Sequence, residues 1–260
     1  MPDGKKVDPA KRVSKLLPEI QKQFQFLKDY TASPKYQERL TRMVNTEKML
    51  QNTAMPERLA AEQMSRYKTN TPTSEVVAGI QQYNQQALDA LQQPGKIEVG
   101  DIDLGKNVAG GYDSAYKDVR LNEELVGQNP TVPVHEFSHA STGGQQPYSK
   151  KFEEEYVNKI FIKPTNSMFS GEVQKPTEVK ARLDAIRYLG AQKGLFDAGK
   201  ENFTDKDWNK IINDKDIKND FNFKQLMDQL PKDKKKVGFT WLMNNIAKVA
   251  PEVNESEGLV

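Results

Sequence analysis

The chain has 260 residues, 36% of them hydrophobic, with 38 basic and 36 acidic side chains and a formal net charge of +2. This near balance excludes the strong positive field of a general nucleic-acid-binding protein, so we predict no nucleic-acid partner. The sequence has no cysteine, which excludes disulfides and thiolate metal sites. It shows no signal-peptide pattern and no apolar run of about 20 residues, so we expect a cytoplasmic protein without a membrane partner.

Residues 1–93 have the apolar spacing of helices and are predicted to form a helical N-terminal region. Pro18 indicates a break or restart within the first helix. Three further helices are predicted to begin at Ser33-Pro34, Met55-Pro56 and Thr71-Pro72. The apolar stripe of the first helix consists of Val13, Leu16, Leu17, Ile20, Phe24 and Leu27. We expect these N-terminal helices to be the part of the chain that docks a protein partner.

Two stretches after this region have the alternation of strands. Apolar and polar residues alternate in Lys96–Leu104, with a phase slip near Gly100 that indicates a bulge or turn. A second strand is predicted within Tyr112–Asn122, on the basis of Tyr116, Val119 and Leu121.

The two histidines of the chain lie in the pattern His135-Glu136-Phe137-Ser138-His139, which is the HExxH pattern of zinc peptidases. On a helix, both imidazoles project from one face and can bind one metal ion. Glu136, about 100° further round, reaches the metal-bound water as a general base. Asn129-Pro130 indicates one helix start, with Asn129 as cap, whereas Pro133 indicates a start only at Thr131 or Val132, and Gly143-Gly144 ends the pattern. The interleaved apolar residues are typical of a buried helix.

A catalytic zinc site needs a third protein ligand. Since the chain has no other histidine and no cysteine, this ligand must be a carboxylate or, less often, a tyrosine. Glu178 is favoured because Lys175-Pro176-Thr177 predicts the start of a helix on which Glu178, Ala181 and Ala185 share one stripe, and small residues allow a close approach of the HExxH helix. Asp184 is the next choice. The full set of candidates is Glu153, Glu154, Glu155, Glu172, Glu178 and Asp184.

Further helices are predicted after Glu178. One starts at Thr204, another covers Phe221–Leu230, and the last contains Val237, Trp241, Leu242, Ile246 and Val249. Residues 251–260 are expected to form a flexible tail.

The motif residues His135, Glu136, His139, Glu178 and Ala181 resemble the gluzincin branch of the HExxH zinc metallopeptidases (zincins). The resemblance implies an α+β, mostly α-helical protein whose zincin-like domain, residues 94–250, combines a small sheet, the HExxH helix and C-terminal helices. It implies Zn²⁺ bound by His135, His139 and Glu178, and hydrolysis of a peptide or protein substrate with Glu136 as general base. It also implies a sheet-edge strand that pairs with the substrate, for which Tyr116–Asn122 has the expected place.

Enzymes of this kind add a group that stabilises the oxyanion. Without a further histidine, this group must be a tyrosine or an arginine, and Tyr148 and Tyr188 are the first candidates. The others are Tyr112, Tyr156, Arg182 and Arg187.

The segment Pro176–Arg182 also resembles metallopeptidase-like proteins of phages and mobile elements of gut bacteria. The alternative function is therefore a non-catalytic protein that keeps a zincin fold, such as a virion or mobile-element component. Its location would then be the virion. Metal-dependent cleavage that is lost in Glu136→Gln distinguishes the enzyme from this alternative.

Overall fold

The structure is a computed structural model that describes residues 9–51, 85, 96–100, 102, 104, 108–143, 147–148, 150–161 and 175–247. These residues form an α+β protein that is mostly helical, with ten α-helices and one three-stranded sheet. The predicted α+β class is therefore confirmed. No helix in the described ranges is long and apolar enough to cross a membrane.

The elements are α1 (Pro9–Ala32), α2 (Pro34–Gln51), β1 (Ile97–Gly100), β2 (Gly110–Asp113), β3 (Asp118–Asn122), α3 (Glu123–Gln128), α4 (Val132–Thr142), α5 (Lys150–Phe152), α6 (Pro176–Gln192), α7 (Asp205–Asn213), α8 (Lys215–Asn219), α9 (Phe221–Gln229) and α10 (Lys235–Asn245). A π-helical turn, Glu153–Val157, continues α5, and a 3-10 turn, Lys232–Lys234, precedes α10.

The first helix, α1, continues through Pro18, so the predicted break there is wrong. Pro18 lies on the exposed side of the helix, where its ring does not disturb the packing of the buried face. Leu17, placed on the apolar stripe by its spacing, is also exposed. The start of α2 is confirmed, because the Ser33 hydroxyl accepts a hydrogen bond from the backbone N–H of Tyr36. The helices predicted at 55–56 and 71–72 lie outside the described residues.

The sheet has the order β1-β3-β2, with β3 parallel to β1 and antiparallel to β2. The strand predicted within Tyr112–Asn122 is confirmed as β3, which contains Val119 and Leu121, but it begins only at Asp118, and a turn that includes Tyr116 separates it from β2. The Asp113 carboxylate accepts hydrogen bonds from the N–H groups of Ala115 and Tyr116 and so stabilises the turn. Tyr116 is 72% exposed in this turn. In the described sheet β3 is central, so the edge strands are β1 and β2, and Tyr116–Asn122 is not an edge strand.

Two apolar clusters form the core, and α6 contributes to both. Val179, Leu183 and Ile186 pack into the larger cluster, together with α2, α5 and the C-terminal helices. Ala185 and Tyr188 pack into the smaller cluster with α1, β3 and α4. Because α6 packs on both sides, it is buried along most of its length.

The C-terminal helices largely follow the prediction. Thr204 and Asp207 form a capping box at the start of α7, as expected for a helix beginning at Thr204. The short helix α8 was not predicted, although Asp214 caps it through hydrogen bonds from two backbone N–H groups. Val237, Trp241 and Leu242 lie in α10 as predicted, although Val237 is 72% exposed, and Ile246 is the residue directly after the helix. Residues 248–260, including the expected tail, lie outside the described part of the chain.

The N-terminal helix α1 packs against both α4 and α6. The predicted boundary between residues 93 and 94 stays a prediction, as does the docking of a partner by the N-terminal helices.

Candidate metal centre

The HExxH motif lies on α4, which begins at Val132 as predicted and ends at Gly143, in the left-handed region with φ 62°. Glycine adopts this conformation without steric cost, which explains where the helix stops. His135 and His139 face the same side, one turn apart, and their Nε2 atoms are 3.2 Å from each other. The motif residues thus have the orientation that binding of a single ion requires.

Helix α6 brings Glu178 to this pair. Its Oε2 atom lies 3.4 Å from His135 Nε2, and its Oε1 atom lies 3.2 Å from His139 Nε2. Ala181 and Ala185, fully buried on the same stripe, allow the two helices to pack closely. The three side chains predicted as ligands therefore lie together as a group that could hold a metal ion.

The spacing and the donor types of this group fit a zinc ion. Zinc binds nitrogen and oxygen at about 2.0–2.2 Å, so neighbouring ligand atoms of a tetrahedral site lie about 3.3 Å apart. The separations among His135, His139 and Glu178 are 3.2, 3.2 and 3.4 Å. Two imidazoles and one carboxylate leave a fourth position for water, as in catalytic sites. The same donors also suit other divalent first-row ions.

Glu136 is buried beside this group, with 8% of its surface exposed. Burial raises the pKa of its carboxyl group, while the neighbouring His135 and His139 act in the opposite direction. The Glu136 side chain lies against the edge strand β2. A Cβ atom built on Gly110 would be 2.8 Å from Glu136 Cγ and 3.1 Å from its Oε1. Glycine at position 110 therefore gives the Glu136 side chain its space.

The charges and hydrogen bonds around Glu178 favour the ionised form of its carboxyl group. Burial alone would raise the pKa of Glu178, but hydrogen bonds with His135 and His139 hold it well below its usual value. Burial lowers the pKa of His135, and Glu178 and Glu136 more than compensate, so the net shift is upward. Arg182 contributes a further positive charge, since its Nη2 atom lies 3.0 Å from Glu178 Oε2.

The second-choice ligand, Asp184, lies in a different set of contacts. Its carboxylate accepts hydrogen bonds from Ser138 at 2.7 Å, from Lys180 at 2.7 Å and from Arg187 at 2.8 Å. Lys180 also donates to the Ser138 hydroxyl at 2.9 Å. All four side chains are buried. Because Ser138 lies within the HExxH motif, this network fixes α6 against α4.

The two preferred oxyanion candidates are engaged elsewhere. The Tyr188 hydroxyl donates to Glu19 on α1, and its ring packs against Phe26. Tyr148 is buried against Phe152, and its hydroxyl has no hydrogen-bond partner among the described residues. Their role as oxyanion stabilisers stays a prediction.

The remaining candidates for the oxyanion-stabilising group and for the third ligand lie in different parts of the structure. Tyr112 is half-buried in β2, and Tyr156 stacks on Trp241. Arg187 donates to Asp184 and to two backbone carbonyls near the end of α10. Of the other candidates for the third ligand, Glu153, Glu154 and Glu155 lie in the π-helical turn, and Glu172 lies outside the described residues.

Two residues of the site region were not singled out by the sequence. Gly110 directly precedes the stretch predicted as a strand, and a glycine in a strand pattern can indicate a close backbone approach. Gln23, which contacts α4 from α1, has no local pattern that marks it.

Comparison of the chain with family models, with curated proteins and with solved structures found no match.

Proposed function

We propose that this protein is a zinc-dependent endopeptidase of the gluzincin type. The observation that carries the proposal is the His135-His139-Glu178 group with Glu136 buried beside it. A structural zinc site usually closes with four protein ligands and has no use for an additional carboxylate. A hydrolytic site needs three ligands, an open position and a base, and the chain offers side chains for each of these protein roles.

In the proposed reaction, a bound zinc ion supplies Lewis acidity to the scissile carbonyl and to the attacking water. Glu136 accepts a proton from this water as its oxygen adds to the carbonyl carbon. The same carboxyl group then gives the proton to the amide nitrogen as the C–N bond breaks. The products are a carboxylic acid and an amine. Arg182, 3.0 Å from Glu178, would add positive charge next to the proposed metal ligands.

The substrate would be an extended peptide segment. β1 and β2 are the two edge strands of the described sheet, and β2 is favoured because its Gly110 lies against Glu136. An edge strand offers backbone N–H and C=O groups to another chain in extended conformation. A peptide added along β2 would therefore pass next to the general base. This assignment replaces Tyr116–Asn122 as the strand that pairs with the substrate.

The proposal is tested by two measurements on the full chain without a histidine tag. The first is zinc content, for which we expect about one ion per chain in wild type and a clear loss in Glu178→Ala. The second is cleavage of a peptide library by wild type and by Glu136→Gln. We expect Glu136→Gln to keep its zinc and to lose activity by at least about 100-fold, the scale of general-base catalysis.

Each outcome has a definite meaning. Equal zinc in wild type and Glu178→Ala would refute Glu178 as a ligand. Zinc binding without any cleavage would refute the peptidase and favour the non-catalytic zincin-fold protein, for instance a virion or mobile-element component.

A further inference from the structure

Helix α1 bonds directly to the start of the helix that carries both histidines. Gln23 is fully buried between the two helices. Its Nε2 donates to the carbonyl of Pro130 at 2.6 Å, and its Oε1 accepts from the backbone N–H of Val134 at 2.9 Å. The residue after Val134 is His135, so the Gln23 side chain binds the backbone directly before a proposed metal ligand.

The contact supplies a cap that α4 lacks locally. The first N–H groups of a helix have no partner within it and are usually satisfied by the side chain of the N-cap residue. Thr131 is the N-cap of α4 but makes no such bond, because its hydroxyl donates to Asp220 instead. Gln23, from the distant α1, takes over this role for Val134.

Helix α1 also contacts α6, the helix that contains the proposed third ligand, Glu178. Glu19 accepts a hydrogen bond from Tyr188 of α6, and Phe26 packs edge-on against the Tyr188 ring at 5.3 Å. On the α4 side, Phe24 packs against Phe137 at 5.0 Å. α1 therefore contacts both ligand-bearing helices, through side chains on neighbouring turns.

We propose that α1 is part of the metal centre, and that Gln23 is a positioning residue that sets the start of α4 and with it the place of His135. The inference rests on the proposed function, since it concerns the same metal site.

The test compares metal binding in Gln23→Met with that in wild type. Methionine has a similar volume, but it cannot donate to the Pro130 carbonyl, and its sulfur is only a weak acceptor for the Val134 N–H. The matched control is Gln25→Met on the same helix, where the exposed glutamine side chain donates to Asp29. Zinc affinity is measured by competition with a chelator, and ligand geometry by the visible absorption of the Co²⁺-loaded protein. Helical content is followed by circular dichroism.

We expect zinc affinity to fall about 10-fold or more in Gln23→Met, the scale seen when residues supporting a metal ligand are changed. The Co²⁺ spectrum should change while helical content stays, and Gln25→Met should match wild type. Wild-type affinity and spectrum in a folded Gln23→Met would overturn the inference and leave the proposed peptidase intact.

If Gln23→Met does not fold, zinc affinity is measured in Tyr188→Phe instead, which removes the hydrogen bond from α6 to Glu19 of α1. A several-fold loss of affinity in that variant supports the role of α1, and an unchanged affinity overturns it. Loss of affinity in either variant without any cleavage by wild type would keep the inference and refute the peptidase.

Discussion

At the scale of single residues, Gly110 gives the Glu136 side chain its space. Any side chain at position 110 would begin 2.8 Å from Glu136 Cγ and from Val132 Cγ1. Both neighbours, or the strand itself, must then move. A shift of the Glu136 side chain would take the proposed general base out of its place.

We therefore predict that Gly110→Ala lowers kcat/KM by about 10- to 100-fold, the effect of a misplacement of about 1 Å. The zinc content should stay at the wild-type value, because neither histidine nor Glu178 is touched. The control is Gly111→Ala, where an added Cβ meets no atom within 4 Å. Equal kinetic losses in both variants would contradict a specific role for Gly110.

At the scale of elements, a buried charge network on α6 is joined to α4 by hydrogen bonds with the hydroxyls of Ser138 and Ser141. Lys180, Asp184 and Arg187 are each under 3% exposed, and Asp184 is the carboxylate that they share. Removal of one partner from a buried ion network leaves the others without compensation and costs about 3–5 kcal/mol. The network thus makes the packing of the two ligand helices dependent on one carboxylate.

Asp184→Asn should accordingly lower the free energy of unfolding by about 3–5 kcal/mol, measured by urea denaturation near pH 7. The control is Asp205→Asn, which removes an exposed pair with Lys236 and should cost at most about 1 kcal/mol. If Asp184→Asn lowers the free energy of unfolding by no more than the control does, the network adds little to the stability of the fold.

The same network predicts a pH dependence. Burial by itself raises the pKa of Asp184, but Lys180 and Arg187 together lower it by more. The folded-state pKa therefore lies below the ordinary value. A depressed carboxyl pKa stabilises the fold above the unfolded-state pKa of about 3.9, and this contribution is lost as the pH falls below it. The stability difference between wild type and Asp184→Asn should be constant near neutrality and shrink below about pH 4. A constant difference down to pH 2 would contradict the ion-pair interpretation.

At the scale of the whole molecule, a bound ion would link helices that are far apart in the chain. A ligand that binds only the folded state at 100 times its Kd adds about 2.7 kcal/mol of stability. In a chain of this size, that corresponds to a rise in Tm of about 5–10 °C. We expect zinc to raise the Tm of wild type by this amount and a chelator to reverse it. Glu178→Ala should show a much smaller rise, and an equal rise in the variant would place the ion elsewhere.

What the sequence determined by itself was local. The spacing of His135 and His139, the limits of α4, and the need for a carboxylate as third ligand all follow from helix periodicity, from proline and glycine chemistry, and from the lack of other donors. Glu178 was favoured over Asp184 because it shares a stripe with small residues, which is again a property of one helix.

The tertiary structure decided what depends on contacts between distant segments. It placed Ser138 of α4 against Asp184 and Lys180 of α6, made β2 an edge strand, and brought Gln23 of α1 to the start of α4. None of these has a period in the sequence, because each is set by how helices and strands pack and not by the hydrogen bonds within one element. The sequence thus specifies which side chains can bind a metal ion, while packing specifies which of them meet and what holds them there.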